Sequence, residues 1–267
     1  MRLGYINYLN CFPFYYHMFH VKPLKGVEVV PAYPSQLNAM LISGALHMSP
    51  ISSAAYAQAQ EELLLLPQFC LSSIGYVRSV ILVSKKPIEN LDGCVIGLSQ
   101  ASQTSVVLLK ILMQTFYALT PQYVESDPYM SLQDLDAKLV IGNEAMMQEK
   151  EPLPYIYDLG DLWLKKTGHP VVFAVFAVRK DAAPYDIIDA VCASYRASLD
   201  ELAKNPGAVI EKARQRYPDI AYDIARYYTL LKFEFSEELK QALIFYYSMA
   251  AELGLLPQVP SLQLYGR

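Results

Sequence analysis

At 267 residues the chain is long enough for one large domain or two modest ones. Hydrophobic residues make up 53% and charged residues 18%, with a mean hydropathy of +0.18, which excludes a disordered or acidic linker protein. The net charge of −4 is spread without any like-charge block, so there is no concentrated basic face and nucleic acid is not expected as a partner.

Strand and helix signals alternate from the first residues. Residues 2–6 read as a strand, and Pro13 then stands where a first helical turn tolerates proline. Residues 27–30 are a second β-type run. Pro34 and Ser35 open a helix whose Leu37, Met40 and Leu41 follow i, i+3, i+4 spacing and which Gly44 ends. A short strand at 45–49 and a helix at 52–62 follow, then a β-branched, apolar strand at 77–83. A turn at Leu91-Asp92-Gly93 leads to a strand at 94–98, an amphipathic helix at 102–117, a strand at 138–141 ending in Gly142-Asn143, and an apolar strand at 171–178. Beyond Lys180 the pattern is helical throughout, with 185–202 and 237–253 the clearest periodic stretches.

Alternating βα units predict an α/β architecture with mostly parallel sheets, and two such sets followed by a helical tail predict two lobes. The expected lobes are 1–82 with 178–267, and 83–177, with the strands at 77–83 and 171–178 as crossings and a ligand cleft between the lobes. The longest apolar runs are four to eight residues (63–66 and 171–178). A membrane-spanning helix needs about 20, so no span is expected. The N-terminus has no signal-peptide pattern, which points to the cytoplasm. Cys11, Cys70, Cys94 and Cys192 share no CxxC spacing and are expected as free, buried thiols.

No GxGxxG, P-loop, GxSxG or HExxH motif is present. His17 and His20 lack further ligands at recognisable spacing, and His47 and His169 are isolated, so packed or surface histidines are expected and no metal or cofactor. The informative signal is polar residues at the carboxyl ends of the expected strands, the edge where open α/β sheets bind ligands. These are Asn7, Tyr8 and Asn10; Ser49, Ser52 and Ser53; Ser99, Ser102, Thr104 and Ser105; and Gly142 with Asn143. Ser52, Ser102 and Thr104 fit plain helix caps as well as carboxylate-holding helix N-termini. Their joint position at strand ends favours a small organic anion. The tail tyrosines Tyr222, Tyr227, Tyr228, Tyr246 and Tyr247 fit either the core or a homodimer interface. Their helical spacing beside leucines favours the core.

The segment Gly4-Tyr5-Ile6-Asn7-Tyr8-Leu9-Asn10-Cys11-Phe12-Pro13 resembles the opening of the chorismate dehydratases of the futalosine route to menaquinone. Ser102-Gln103-Thr104-Ser105-Val106 is similar to that family's Ser/Thr-rich helix start. Val140-Ile141-Gly142-Asn143-Glu144-Ala145 resembles a further family segment, with Asn143 where aspartate is common. The stretch Asp158-Leu159-Gly160-Asp161-Leu162-Trp163, with Thr167-Gly168 and Pro170-Val171-Val172-Phe173-Ala174, completes the likeness over roughly residues 2–180.

The resemblance implies a two-lobed fold like the type II periplasmic solute-binding proteins, used as an enzyme. It implies loss of water from chorismate, a dicarboxylate, to give 3-[(1-carboxyvinyl)oxy]benzoate, without metal or redox cofactor. It assigns Asn10 and Ser79 as the catalytic pair. The strand-end residues add Tyr8, Ser49, Ser52, Ser99, Ser102, Thr104, Ser105, Gly142, Asn143 and Phe173 as the expected substrate-binding set. No His, Glu or Lys stands beside Asn10 as a base. The substrate's own side-chain carboxylate is therefore expected to take the proton while Asn10 orients it. A sister enzyme acting on cyclic dehypoxanthinyl futalosine, for which a histidine base in a different motif is expected, and a non-catalytic solute-binding or sensor domain are the competing readings.

Overall fold

The computed structural model describes residues 1–126, 132–147, 154–182 and 185–266. The chain runs β1 (Arg2–Ile6), α1 (Phe12–His20), β2 (Glu28–Ala32), α2 (Pro34–Ile42), β3 (Met48–Ser52), α3 (Ser53–Gln58) and β4 (Leu63–Ser73). It continues through β5 (Val80–Ser84), β6 (Val95–Ser99), α4 (Gln103–Ile111), β7 (Gln122–Ser126), β8 (Ala137–Ile141), β9 (Tyr155–Asp158) and α5 (Leu159–Thr167). It closes with β10 (Val171–Arg179), α6 (Tyr185–Lys204), α7 (Pro206–Arg216), α8 (Ile224–Leu230), β11 (Leu231–Glu234) and α9 (Glu237–Glu252). The strands form a six-stranded sheet, ordered β11-β4-β10-β3-β1-β2, and a five-stranded sheet, ordered β7-β6-β8-β5-β9.

The α/β class is as expected, but the sheets are mixed rather than mostly parallel. Only β1–β2, β1–β3, β6–β7 and β6–β8 pair in parallel among the described strands. The remaining pairs, β10–β3, β10–β4, β11–β4, β5–β8 and β5–β9, are antiparallel. The cause is the double passage of the chain between sheets. The outgoing strand β4 lies beside the returning β10, and the arriving β5 lies beside the departing β9, so each sheet holds two legs running in opposite directions. Parallel pairs survive where helical crossovers join the strands.

Other expectations shift as well: the helices expected at 52–62 and 102–117 are α-helical over Ser53–Gln58 and Gln103–Ile111, and the strand expected at 77–83 runs over Val80–Ser84. The third strand lies at 48–52 instead of 45–49, because Gly44 (φ +79°) closes α2 in a turn before the chain straightens. Pro50 inside that central strand hid it, since proline gives no N–H to a ladder. The eleven residues of β4 were visible only as the apolar run 63–66, because Pro67 interrupts the pattern and the pairing with β10 slips register nearby. The tail is not purely helical, as β11 pairs with β4 and forms an edge of the six-stranded sheet.

The core of the larger sheet is aromatic. Phe14, Phe69, Phe176 and Tyr195 bring rings from α1, β4, β10 and α6 to centroid distances of 4.3–6.2 Å. Such pairs contribute about 0.5–1.5 kcal/mol each beyond area burial. Tyr227, Tyr228, Tyr246 and Tyr247 of the tail are buried, while Tyr222 is half-buried. Cys11 and Cys70 are buried and Cys94 and Cys192 partly exposed, all four free. No helix among the described residues is long and apolar enough to cross a membrane.

The crossings are the connections at 74–79 and 168–170. The boundaries expected at 82/83 and 177/178 therefore fall inside β5 and β10, each of which belongs whole to one sheet. Asp158, which ends β9 and caps α5, ties the two passages together. Its carboxylate accepts backbone N–H groups from Val77 (3.1 Å), Arg78 (2.6 Å) and Asp161 (3.0 Å). Arg78 holds φ +67°, a conformation that costs a side-chain-bearing residue energy and persists because this carboxylate fixes it. Gly160 packs so closely that an added Cβ would lie 2.3 Å from the Gly75 carbonyl oxygen.

Candidate functional site

The two sheets meet at a narrow cavity with about 50 Å³ of enclosed space. It is lined from the larger sheet by Tyr8 and Asn10 of the β1–α1 loop, Ser52 at the start of α3, and Phe173 of β10. From the other side come Ser79 of the outgoing crossing, Ser102 and Ser105 at the start of α4, and Gly142 after β8. Eight of the twelve expected site residues thus share one space. Among the described residues no Asp, Glu, Lys, Arg, His or Cys lines it. Its polar groups are hydroxyls and one amide, set among apolar side chains such as Ile6, Val77 and Leu231.

One wall is built around a residue the sequence offered only as a core tyrosine. Tyr227, fully buried in α8, donates its hydroxyl hydrogen to Ser79 Oγ at 2.8 Å and is within hydrogen-bonding reach of the Asn10 side chain. Burial pushes its phenol far above the usual range, with Ser79 and Asn10 acting in the opposite direction, so it stays neutral. Asn10 Oδ1 is buried without a hydrogen-bond partner, an expensive state for a carbonyl oxygen unless a ligand meets it. The loop is held from both ends: the Leu9 N–H donates to Asn143 Oδ1 (2.8 Å) and the Tyr228 hydroxyl donates to the Leu9 carbonyl (3.2 Å). Gly142 has φ +66°, and a Cβ there would meet the Tyr8 ring at 2.5 Å, so glycine lets that ring cover the end of β8.

A second group of lining residues, drawn from both sheets' segments, sits at helix starts. Ser52 caps α3 by accepting the Ala55 N–H (3.4 Å), and it also accepts from Asn38 Nδ2 (3.1 Å). Ser102 caps α4 by accepting the Ser105 N–H (3.3 Å), with the Ser105 hydroxyl 3.1 Å away. A hydroxyl whose two lone pairs are taken has only its hydrogen left to give. The Ser52 hydroxyl therefore faces the cavity as a donor suited to a carboxylate oxygen. Asn38, buried in α2, was not anticipated. Nothing in its own segment signals that it meets Ser52.

Four expected residues stand outside the cavity. Ser49 lies beneath Gly4 and donates to the Pro50 carbonyl (2.8 Å). Ser99 accepts the Ala101 N–H (3.2 Å) and shapes the β6–α4 turn. Thr104 accepts the Ala54 N–H (3.1 Å), joining α4 to α3. Asn143 fixes the Asn10 loop, as above. All four are supports, and strand-end position alone does not separate them from lining residues. The histidines also lie elsewhere: His47 accepts the Arg2 N–H (3.0 Å), His169 stacks on Phe245 at 4.2 Å, and His17 and His20 lie on α1. Behind Tyr8, burial raises the Glu144 carboxyl above its usual range, with the Tyr8 hydroxyl opposing the shift.

Two mixed sheets enclosing an interfacial cavity of hydroxyls and helix starts give an α/β fold like that of the periplasmic binding proteins. A protein from Archaeoglobus fulgidus has the same fold, with a TM-score of 0.76, 22% identity, and coverage of 95% of this chain and 97% of that one. The periplasmic aliphatic sulphonate-binding protein of Escherichia coli aligns with a TM-score of 0.69 and 15% identity, covering 100% of this chain and 92% of that one. Within that fold the chain belongs to the menaquinone biosynthesis family, whose model matches residues 1–252. The chorismate dehydratase of Thermus thermophilus is 33% identical over 199 residues, 68% of this chain and 71% of that protein. The 1,4-dihydroxy-6-naphtoate synthase of the same organism is 22% identical, covering 97% of each chain.

Proposed function

We propose that the protein is a chorismate dehydratase, a carbon–oxygen hydro-lyase of the cytoplasm. It would convert chorismate to 3-[(1-carboxyvinyl)oxy]benzoate and water in the futalosine route to menaquinone. The observation that carries this reading is the convergence of Asn10 and Ser79 on one cavity that, among the described residues, no conventional base lines. The two sheets are then the cores of two lobes, and substrate sits between them.

The reaction breaks a ring C–H bond and the neighbouring C–OH bond, and the electron pair left by the proton completes the aromatic ring. Proton and hydroxide leave together as water, so no electron carrier enters the balance, and aromaticity supplies the driving force. The substrate's side-chain carboxylate, oriented by Asn10, takes the ring proton and passes it to the departing hydroxide, so water leaves and the carboxylate is restored. Ser79 donates a hydrogen bond where negative charge grows on the departing oxygen. Ser52, Ser102 and Ser105 hold a carboxylate at the helix starts.

The naphthoate synthase relative, which matches over nearly the full length, supports a second reading, turnover of cyclic dehypoxanthinyl futalosine. The absence of a histidine among the lining residues favours the first. Incubating the protein with each compound separates them. Aromatic product from chorismate alone is the expected result. Turnover of only the other compound replaces this reading, and binding without turnover of either makes the protein a solute-binding domain.

A further inference from the structure

We infer that Tyr227 is a positioning residue for this dehydration: its hydroxyl joins Asn10 to Ser79 and turns the Ser79 hydrogen into the cavity. The inference rests on the dehydratase reading for its chemistry and on the hydrogen-bond geometry for its substance.

A phenol has one hydrogen to give, and Tyr227 gives it to Ser79 Oγ at 2.8 Å. Ser79 therefore cannot direct its own hydrogen back along that line, and its remaining donor faces the cavity it lines. On the other side, one Asn10 N–H turned to the Tyr227 oxygen leaves the second N–H to orient the substrate's carboxylate, and leaves Oδ1, buried and without a partner, to accept from the substrate's ring hydroxyl. One phenol thus fixes how both side chains are turned: Asn10 toward the carboxylate and the ring hydroxyl, and Ser79 as a donor. The placement is well supported. Asp223 caps α8 through the Ala225 N–H (2.9 Å), and the adjacent Tyr228 hydroxyl holds the Leu9 carbonyl (3.2 Å). Two successive tyrosines of one helix therefore tie the Asn10 loop and the Ser79 crossing to a common body.

Tyr227→Phe keeps the ring and removes the hydroxyl. Its kcat on chorismate should fall roughly tenfold to a hundredfold, with KM changed less than about twofold. Tyr195→Phe, which loses a buried hydroxyl bond to Tyr15 (2.6 Å) between two residues that do not line the cavity, should keep the parent kcat. Parent kcat in Tyr227→Phe, or an equal loss in Tyr195→Phe, overturns the inference. Should Tyr227→Phe not fold, 3-fluorotyrosine at position 227 changes donor strength alone, and an unaltered kcat then overturns it. A crystal structure of Tyr227→Phe reads the positioning without any substrate. Rotation of Ser79 Oγ or the Asn10 amide supports it, and unchanged side chains contradict it. Parent protein inactive on chorismate sinks the dehydratase reading, and that crystal structure still decides the role of Tyr227.

Discussion

The two walls of the cavity are built in opposite ways. At the helix starts the key bonds are local, Ser102 with Ser105 and Ser52 with Ala55, each three residues apart. At the other wall, Tyr227 reaches Ser79 across 148 positions, and Asn143 reaches Leu9 across 134. A capped helix start forms wherever its few residues allow, and on the proposed reading it would hold a carboxylate in ground and transition states alike. The long-range wall exists only when both sheets and α8 are in place, and on the proposed reading it would aim groups at atoms whose charge changes during reaction. Binding and turnover should therefore respond separately to substitution.

The contrast breaks first at its supports. Asp158→Ala strands the backbone N–H groups of Val77, Arg78 and Asp161, the first two next to Ser79 in the chain, and should cost on the order of 3 kcal/mol of stability, read from urea unfolding, with a fall in kcat. A stable, fully active variant would remove Asp158 from the account. Asn10→Ala should lower kcat and kcat/KM together by about a hundredfold with little change in KM, because an orienting contact acts mainly in the transition state. Raised KM alone would make Asn10 another anchor and erase the distinction between the walls.

Ser102→Ala should do the reverse. KM should rise about tenfold, the effect of losing one charge-assisted hydrogen bond, with kcat within about twofold of the parent. Thr104→Ala sharpens the line between lining and support. Its hydroxyl serves the Ala54 N–H, so a stability loss of about 1–2 kcal/mol with unchanged KM is expected, and a tenfold KM rise would return Thr104 to the binding wall.

The smallest effect is at Glu144. A carboxyl whose folded value lies above its unfolded one, near about 4, costs stability as pH rises through that window. Stability of the parent should decline more steeply than that of Glu144→Gln from about pH 4 upward in urea melts. Parallel curves would show that Glu144 is solvated.

Much of this was readable in the chain. Periodicity found β1, β2, β6, β8 and β10 close to their observed bounds, and strand-end logic reached Tyr8, Asn10, Ser52, Ser102 and Ser105. The failures share physical causes. Pro50 and Pro67 masked strands that the neighbouring β10 stabilises through tertiary pairing. Ser49, Ser99, Thr104 and Asn143 have the same residue types as the lining groups and differ only in where their side chains turn. Val77 and Arg78 looked like strand because nothing local announces the Asp158 carboxylate that bends them. Tyr227 was read as core, which it is. Its partner Ser79 belongs to another part of the chain, and no spacing rule reveals it.

The central claim is that the protein supplies orientation and hydrogen bonds while the substrate supplies the base. The pH dependence of kcat on chorismate tests it most directly. With a substrate carboxylate as acceptor, kcat should be flat between about pH 6 and about pH 8, since carboxylates are ionised throughout that range. A limb with an apparent pKa near 6–7 would mean that a protein group takes the proton, contradicting the account.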